Sequence, residues 1–336
     1  MTERGVGMDQ QQRTARFGIY VILCACILRL GISGMPEALA ERLEGFFGQS
    51  LEIETETGQD VRFSASLEAF SSYFRESPPP WIPTKTALRF GAEDLALVEM
   101  DYDCDLRPDL EALMEKPLDW DLTGEEPTVL ILHTHTTESY TKGSEAYTET
   151  SRYRTLEAAY NMLSIGDAVA QQLTRKGITV IHDREVHDYP SYNGSYVHAR
   201  SALEEILEQN PSIRLVLDLH RDALETAEGK QLRTLAEANG KPAAQLMLVV
   251  GTDVSRPSHE NWQENLALAL KLHIQLERLC PGIMRPLNLR AQRFNQDLSA
   301  GALLVEVGAA GNTREEALAA AELLAEAVAQ LAEGTQ

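Results

Sequence analysis

The segment Thr128–Tyr140, T-V-L-I-L-H-T-H-T-T-E-S-Y, places histidines and a carboxylate directly after a short apolar run. Such an unbroken run reads as a strand buried on both faces, as in parallel sheets. Reacting groups in open α/β sheets gather at the carboxyl ends of strands, which is where His133, His135 and Glu138 fall. The H-x-x-E spacing is too wide for one strand face, so a turn must aim His135 and Glu138 together. Neutral imidazole and carboxylate suit zinc, and a catalytic zinc takes three protein ligands and keeps one position open. The third ligand is expected from Ile213–Ala223, I-R-L-V-L-D-L-H-R-D-A, a second apolar strand that ends in His220. Asp218 shares a strand face with His220, and Asp218 or Asp222 is placed to accept the other N–H of that imidazole.

A further carboxylate stands in Gly301–Gly308, G-A-L-L-V-E-V-G, where Glu306 interrupts an otherwise apolar strand. An unpaired buried carboxylate is costly and its pKa rises on desolvation. Those properties suit a general base that takes a proton from water and returns it to a leaving amine. The competing readings are an ion pair with Arg221 or Arg293, or a place among the metal ligands. Arg221 is expected to hold a substrate carboxylate or stabilise an oxyanion. His133 is expected to face the site as a substrate group. The loop I-H-D-R-E-V-H-D-Y-P-S-Y-N-G-S-Y supplies His187, Tyr192 and Asn193 as a substrate wall, whereas His259 and His273 read as structural.

These groups need a scaffold of alternating elements. Strands are predicted at Thr128–Leu132, Ile178–Ile181, Ile213–Leu219, Gln245–Val250, Leu287–Gln292 and Ala302–Val307. Helices are predicted at Leu156–Lys176, Tyr196–Gln209, Glu260–Leu279 and Arg314–Ala332. Gly177 reads as a helix C′ glycine, and Asn312 or Thr313 with Glu315 and Glu316 as a helix start. Strands separated by helices of this length give a mostly parallel twisted sheet with helices on both faces, an α/β fold.

The 336 residues allow one large or two modest domains. An excess of 51 acids over 30 bases, a formal charge of −21, argues against a polyanionic partner such as nucleic acid. Near the N-terminus Arg13 and Arg16 precede Phe17–Gly34, an apolar stretch long enough as a helix to span about 27 Å. Either it is a single-pass anchor with its basic end in the cytoplasm, or a signal peptide cut near Ala38-Leu39-Ala40; the anchor is preferred. The organisation expected is residues 1–34 as cytoplasmic tip and anchor, 35–126 as an acidic membrane-proximal segment without chemistry, and 127–336 as the catalytic domain. Cys24 and Cys26 lie in the apolar stretch, Cys104 and Cys280 are far apart, and no C-x-x-C pair exists, so redox compartment is not legible.

Taken in order, H-T-H-T-T-E-S-Y, H-D-Y-P-S-Y-N-G-S-Y, D-L-H-R-D-A, and F-N-Q-D-L-S followed by L-L-V-E-V-G resemble the stage II sporulation protein P family. The likeness covers roughly residues 128–332. That family is related to the zinc-dependent N-acetylmuramoyl-L-alanine amidases. The resemblance implies an amidase-like fold and a membrane-anchored peptidoglycan hydrolase, acting between two membranes during engulfment. It implies cleavage of the muramoyl–alanine amide and of peptide cross-links. It also implies as partners the lytic transglycosylase stage II sporulation protein D and the membrane protein stage II sporulation protein M. By motif, His135 and His220 match zinc ligands and Glu306 the catalytic glutamate, while Arg293 and Asn295 beside F-N-Q-D-L-S fall with the substrate-binding residues. Related amidases carry the ligand glutamate some fifteen residues after the first histidine, before a helix, and Glu157 is only an approximate match to that register. Glu138 is chosen on its H-x-x-E spacing. The alternatives are a zinc carboxypeptidase-like wall hydrolase and an inactive wall-binding scaffold.

Overall fold

The computed structural model describes residues 88–118, 121–255 and 258–334, together with the backbone of 51–54 and 60–63. The expected membrane segment, Phe17–Gly34, lies outside the described residues. Among the described residues no helix is long and apolar enough to cross a membrane. The chain divides into two compact units, Met1–Pro83 and Thr84–Gln336. In the first, strands β1 (Leu51–Glu54) and β2 (Asp60–Phe63) form an antiparallel pair.

The second unit is built on a seven-stranded sheet. Its strands are β3 (Met100–Asp103), β4 (Val129–Leu132), β5 (Val180–His182), β6 (Leu215–Asp222), β9 (Leu246–Gly251), β10 (Leu287–Arg290) and β11 (Ala302–Ala309), in the order β3-β10-β9-β11-β6-β4-β5. A separate hairpin, β7 (Leu235–Ala238) with β8 (Lys241–Ala244), precedes β9. It turns on Asn239 and Gly240, both at positive φ, the conformation a two-residue hairpin turn requires. Every pairing in the large sheet is parallel except β11 with β9. The acidic segment ahead of residue 127 thus contributes the edge strand β3, which runs beside β10.

Strand alternation divides the core into two layers. On one face Val129, Ile131, Leu215, Leu217 and Leu219 pack with helices α2 (Met162–Arg175), α4 (Trp262–Leu279) and α5 (Arg314–Gly334). On the other, Leu130, Leu132 and Val216 meet Ala199 and Leu203 of α3 (Ser195–Gln209). A short helix α1 (Leu110–Glu115) completes the set. Each fully buried Leu or Ile contributes about 1.5–3 kcal/mol of transfer free energy, so the sheet's register is fixed by which face each side chain must occupy.

The predicted helix from Leu156 starts instead at Met162. Asn161 caps it, its side-chain oxygen accepting from Leu163 N at 3.0 Å. The residues before it are held elsewhere: Thr155 N donates to Thr137 O and Ser139 N to Tyr153 O. At its far end Gly177 has φ +81°, as the C′ position demands. Helix α5 opens on a reciprocal cap, Glu316 N to Thr313 Oγ1 at 3.3 Å and Thr313 N to Glu316 Oε2 at 3.1 Å. Cys104 and Cys280 are both free thiols.

Candidate active site

Four adjacent parallel strands, β5, β4, β6 and β11, end at the same edge of the sheet. Register aligns Leu132 with Asp218, and His220 with Glu306. Beyond Leu132 the chain leaves β4 in a turn closed by Glu138 N donating to His135 O at 3.1 Å. Asp218 ties this turn to β6: Thr134 N and Oγ1 donate to its two carboxylate oxygens at 2.8 and 2.6 Å. Three of the expected residues therefore meet. The His135 and His220 rings stand edge to face with centroids 5.2 Å apart, and His220 Nδ1 lies 3.6 Å from Glu138 Oε2. All three are buried.

The electrostatics are set by burial and close charges. Burial is the main influence on His135, lowering its pKa to about 4 and keeping the ring neutral. Burial would raise Glu138, but Arg221 and His220 overcome it and hold the carboxylate ionised. Burial would depress His220, but Asp218 and Glu138 together hold it well above the usual imidazole range. Its Nε2 lies 2.9 Å from Asp218 Oδ1, off the line of a hydrogen bond. Glu306 is pushed by desolvation to about 8. Its Oε2 is shielded and has no hydrogen-bond partner, although the residue keeps some contact with solvent. Arg221 and Arg293 are engaged elsewhere, so the ion-pair reading of Glu306 does not hold.

Among the described residues no group of three or more His, Cys, Asp or Glu side chains is already spaced to hold a metal ion. The donor chemistry nevertheless fits a cation. His135 Nδ1 is buried without a partner, Glu138 is ionised, and His220 turns one nitrogen toward Glu138 and the other toward Asp218. A metal-bound imidazole commonly turns its outer N–H to a carboxylate, and Asp218 stands 2.9 Å from Nε2, although the two are not aligned as a hydrogen bond. Glu157, the alternative glutamate, is exposed and accepts from Thr148 N at 2.7 Å.

Several expected substrate groups are placed differently. His133 does not share a face with His135, because the strand ends at Leu132 and alternation stops there. Its Nδ1 bonds Leu219 O at 3.1 Å and its Nε2 faces His182 Nε2 at 2.9 Å. Arg221 follows His220 and so projects to the opposite face. It is buried, with Nε donating to Ser139 O, Nη2 to Tyr153 O, and Nη1 3.5 Å from Glu138 Oε1. Its guanidinium is anchored to Ser139, Tyr153 and Glu138, so its place is behind Glu138. His187 is buried against Asp183. Arg293 pairs with Asp297, and Asn295 donates to Tyr196 O at 2.8 Å.

Tyr192 and Asn193 occupy an exposed turn ahead of α3. The Tyr192 ring stacks on His135 with centroids 4.4 Å apart, and Tyr196 meets His135 edge-on at 5.6 Å. Sequence reasoning missed Tyr196, Arg154 and Asp188. Asp188 and Tyr196 lie inside the quoted H-D-Y-P-S-Y-N-G-S-Y motif; for Arg154 nothing local in the sequence marks a role.

A family model described as stage II sporulation protein P matches residues 84–329. The chain belongs to the stage II sporulation protein P family. The family member of Bacillus subtilis (strain 168) is 30% identical over 220 residues, covering 62% of this chain and 52% of that protein. The match thus spans about half the length of that curated relative. Solved structures also overlap the chain. The N-acetylmuramoyl-L-alanine amidase AmiC2 of Nostoc punctiforme has TM-score 0.37 and 14% identity, over 61% of this chain and 97% of that one. An N-acetylmuramoyl-L-alanine amidase of Clostridium difficile 630 has TM-score 0.33 and 16% identity, over 61% and 96%.

Proposed function

We propose that this member of the stage II sporulation protein P family is a zinc-dependent peptidoglycan hydrolase that cleaves the N-acetylmuramoyl-L-alanine amide bond. The observation that carries the reading is Glu306, a desolvated carboxyl with an unpartnered oxygen, in register with His220 at the edge that gathers His135 and Glu138. A merely structural carboxyl in a strand would be paired or replaced by an apolar residue.

His135, Glu138 and His220 would hold the metal. The chemistry a zinc ion supplies when bound is polarisation of the scissile carbonyl and acidification of a water. Its charge would also favour the ionised form of Glu306. Glu306 then takes the proton of the attacking water and delivers it to the amide nitrogen as the C–N bond breaks, leaving a free lactyl carboxylate and a free alanine amine. Asp218 holds the turn that carries His135 and stands beside His220. Burial keeps the Tyr196 phenol protonated, so it stands edge-on to His135 as a neutral donor.

Cleavage of peptide cross-links, anchoring through residues 17–34 with the catalytic unit outside the cytoplasm, and partnership with stage II sporulation proteins D and M belong to the same proposal. They rest on the family resemblance. The test is metal content and muropeptide digestion by the full chain beside His220→Ala and Glu306→Gln. The proposal expects about one zinc in the native and Glu306→Gln proteins and less in His220→Ala, with stem peptides released by the native protein alone. Release of single C-terminal residues would instead mark a carboxypeptidase. Release of stem peptides by Glu306→Gln at the native rate would overturn the role of Glu306.

A further inference from the structure

Glu138 is not left to find its position by its own rotamer. Arg154 Nη2 lies 3.2 Å from Glu138 Oε1, and Nη1 of the same guanidinium lies 2.6 Å from Asp188 Oδ2. Asp188 in turn accepts from Thr137 N at 3.0 Å and Thr137 Oγ1 at 2.6 Å, which fixes the residue just before Glu138. The Arg154 guanidinium carbon also sits 4.5 Å from the centroid of Tyr192, the ring that stacks on His135. One side chain therefore reaches one expected ligand directly and a second through an aromatic ring. Asp188 and Tyr192 belong to the same loop, the stretch between β5 and α3.

We infer that Arg154 is a positioning residue that couples the order of the Asp183–Gly194 loop to the affinity of the His135–Glu138–His220 set for zinc. The inference rests on the zinc reading above and adds what controls the site. The guanidinium fork is rigid and planar, so it spans two carboxylates and lies against a ring at once; an ammonium point charge does not. Groups behind metal ligands typically govern affinity by 10–100-fold. Coupling is also reciprocal: if the docked loop favours zinc, zinc must favour the docked loop by the same factor.

Removing Arg154 outright would also remove a positive charge beside a cation site, an opposing effect. Arg154→Lys keeps the charge and loses only the fork, so it isolates positioning. The measurements are the zinc dissociation constant of the full chain by competition with a chromophoric chelator, and amide hydrogen exchange of residues 183–194 with and without zinc. The inference expects Arg154→Lys to weaken zinc about 10-fold or more, and zinc to slow exchange in the native loop. Tyr192→Leu should weaken zinc in the same direction, while Tyr192→Phe, which keeps the ring, should match the native protein. Native zinc affinity in Arg154→Lys, or loop exchange indifferent to zinc, would overturn the inference. Failure of the native chain to bind zinc would overturn the function proposal itself, a distinct result.

Discussion

Replacing Glu306 by Gln tests the desolvation of that carboxyl without any substrate. In the folded, metal-free chain its pKa is about 8 against an ordinary 4.5. The folded state therefore binds the proton more tightly than the unfolded chain. Between those two values the native state carries more protons, so stability must fall as pH rises through the window and level off above it. At about 1.36 kcal/mol per pKa unit the loss by pH 8 has a ceiling of about 4 kcal/mol, and partial solvent contact at Glu306 brings the expected value to about 2 kcal/mol. Gln has nearly the same shape and no proton to lose. Urea unfolding of the chelator-treated full chain, run from pH 5 to pH 8.5, reads the difference as the midpoint at constant slope. With a slope of about 2 kcal/mol per M, the Gln variant should exceed the native midpoint by about 1 M at pH 8, and by far less at pH 5. Parallel midpoint curves across the window would refute the claim that Glu306 is desolvated, and with it the reason for assigning Glu306 the proton transfer.

Three further outcomes follow from other parts of the molecule. If zinc binds the folded chain alone, free zinc at 100 times its dissociation constant should stabilise it by about 2.7 kcal/mol over chelator-treated protein, a rise of roughly 5–10 °C in Tm; His220→Ala should abolish that rise in a thermal melt. Gly166→Ala in α2 should destabilise although alanine is the better helix former by about 1 kcal/mol, because its Cβ would fall on the paired rings of His133 and His182. A net loss of about 1–2 kcal/mol is expected in urea, and a gain would mean the two rings move aside freely. Tyr140 is fully buried with its hydroxyl donating to Val307 O at 2.8 Å. Tyr140→Phe should cost about 1–3 kcal/mol through the stranded carbonyl, and an unchanged midpoint would mean that carbonyl finds another donor.

What the sequence determined by itself is the part carried by periodicity and local chemistry. Apolar runs of strand length ending in His or Glu, separated by helical stretches, are enough for a parallel α/β sheet, and the expected strands at 128–132, 213–219 and 302–307 are β4, β6 and β11 with shifts of a few residues. The convergence of His135, Glu138 and His220 was legible because parallel strands put their carboxyl ends at one edge. The short elements escape the sequence reading: β3, whose acidic sequence hides an alternating edge strand, the helix α1, and the β7–β8 hairpin, although Asn239-Gly240 is a strong turn signal. The start of α2 was misplaced because the residues before Asn161 find their hydrogen bonds in the turn at 137–139, a partner far away in sequence.

Side-chain partnership was decided only by the tertiary structure. Whether Arg221 serves substrate or Glu138 depends on which face β6 presents to the 138–153 segment, and that face puts its guanidinium against Ser139 O and Tyr153 O. His133 turns to His182 because the strand stops one residue before it. Arg154 and Asp188 acquire meaning only when two loops from different crossovers lie against each other. Periodicity fixes the face on which a residue stands; what waits on the other side of that face is set by the packing of distant segments.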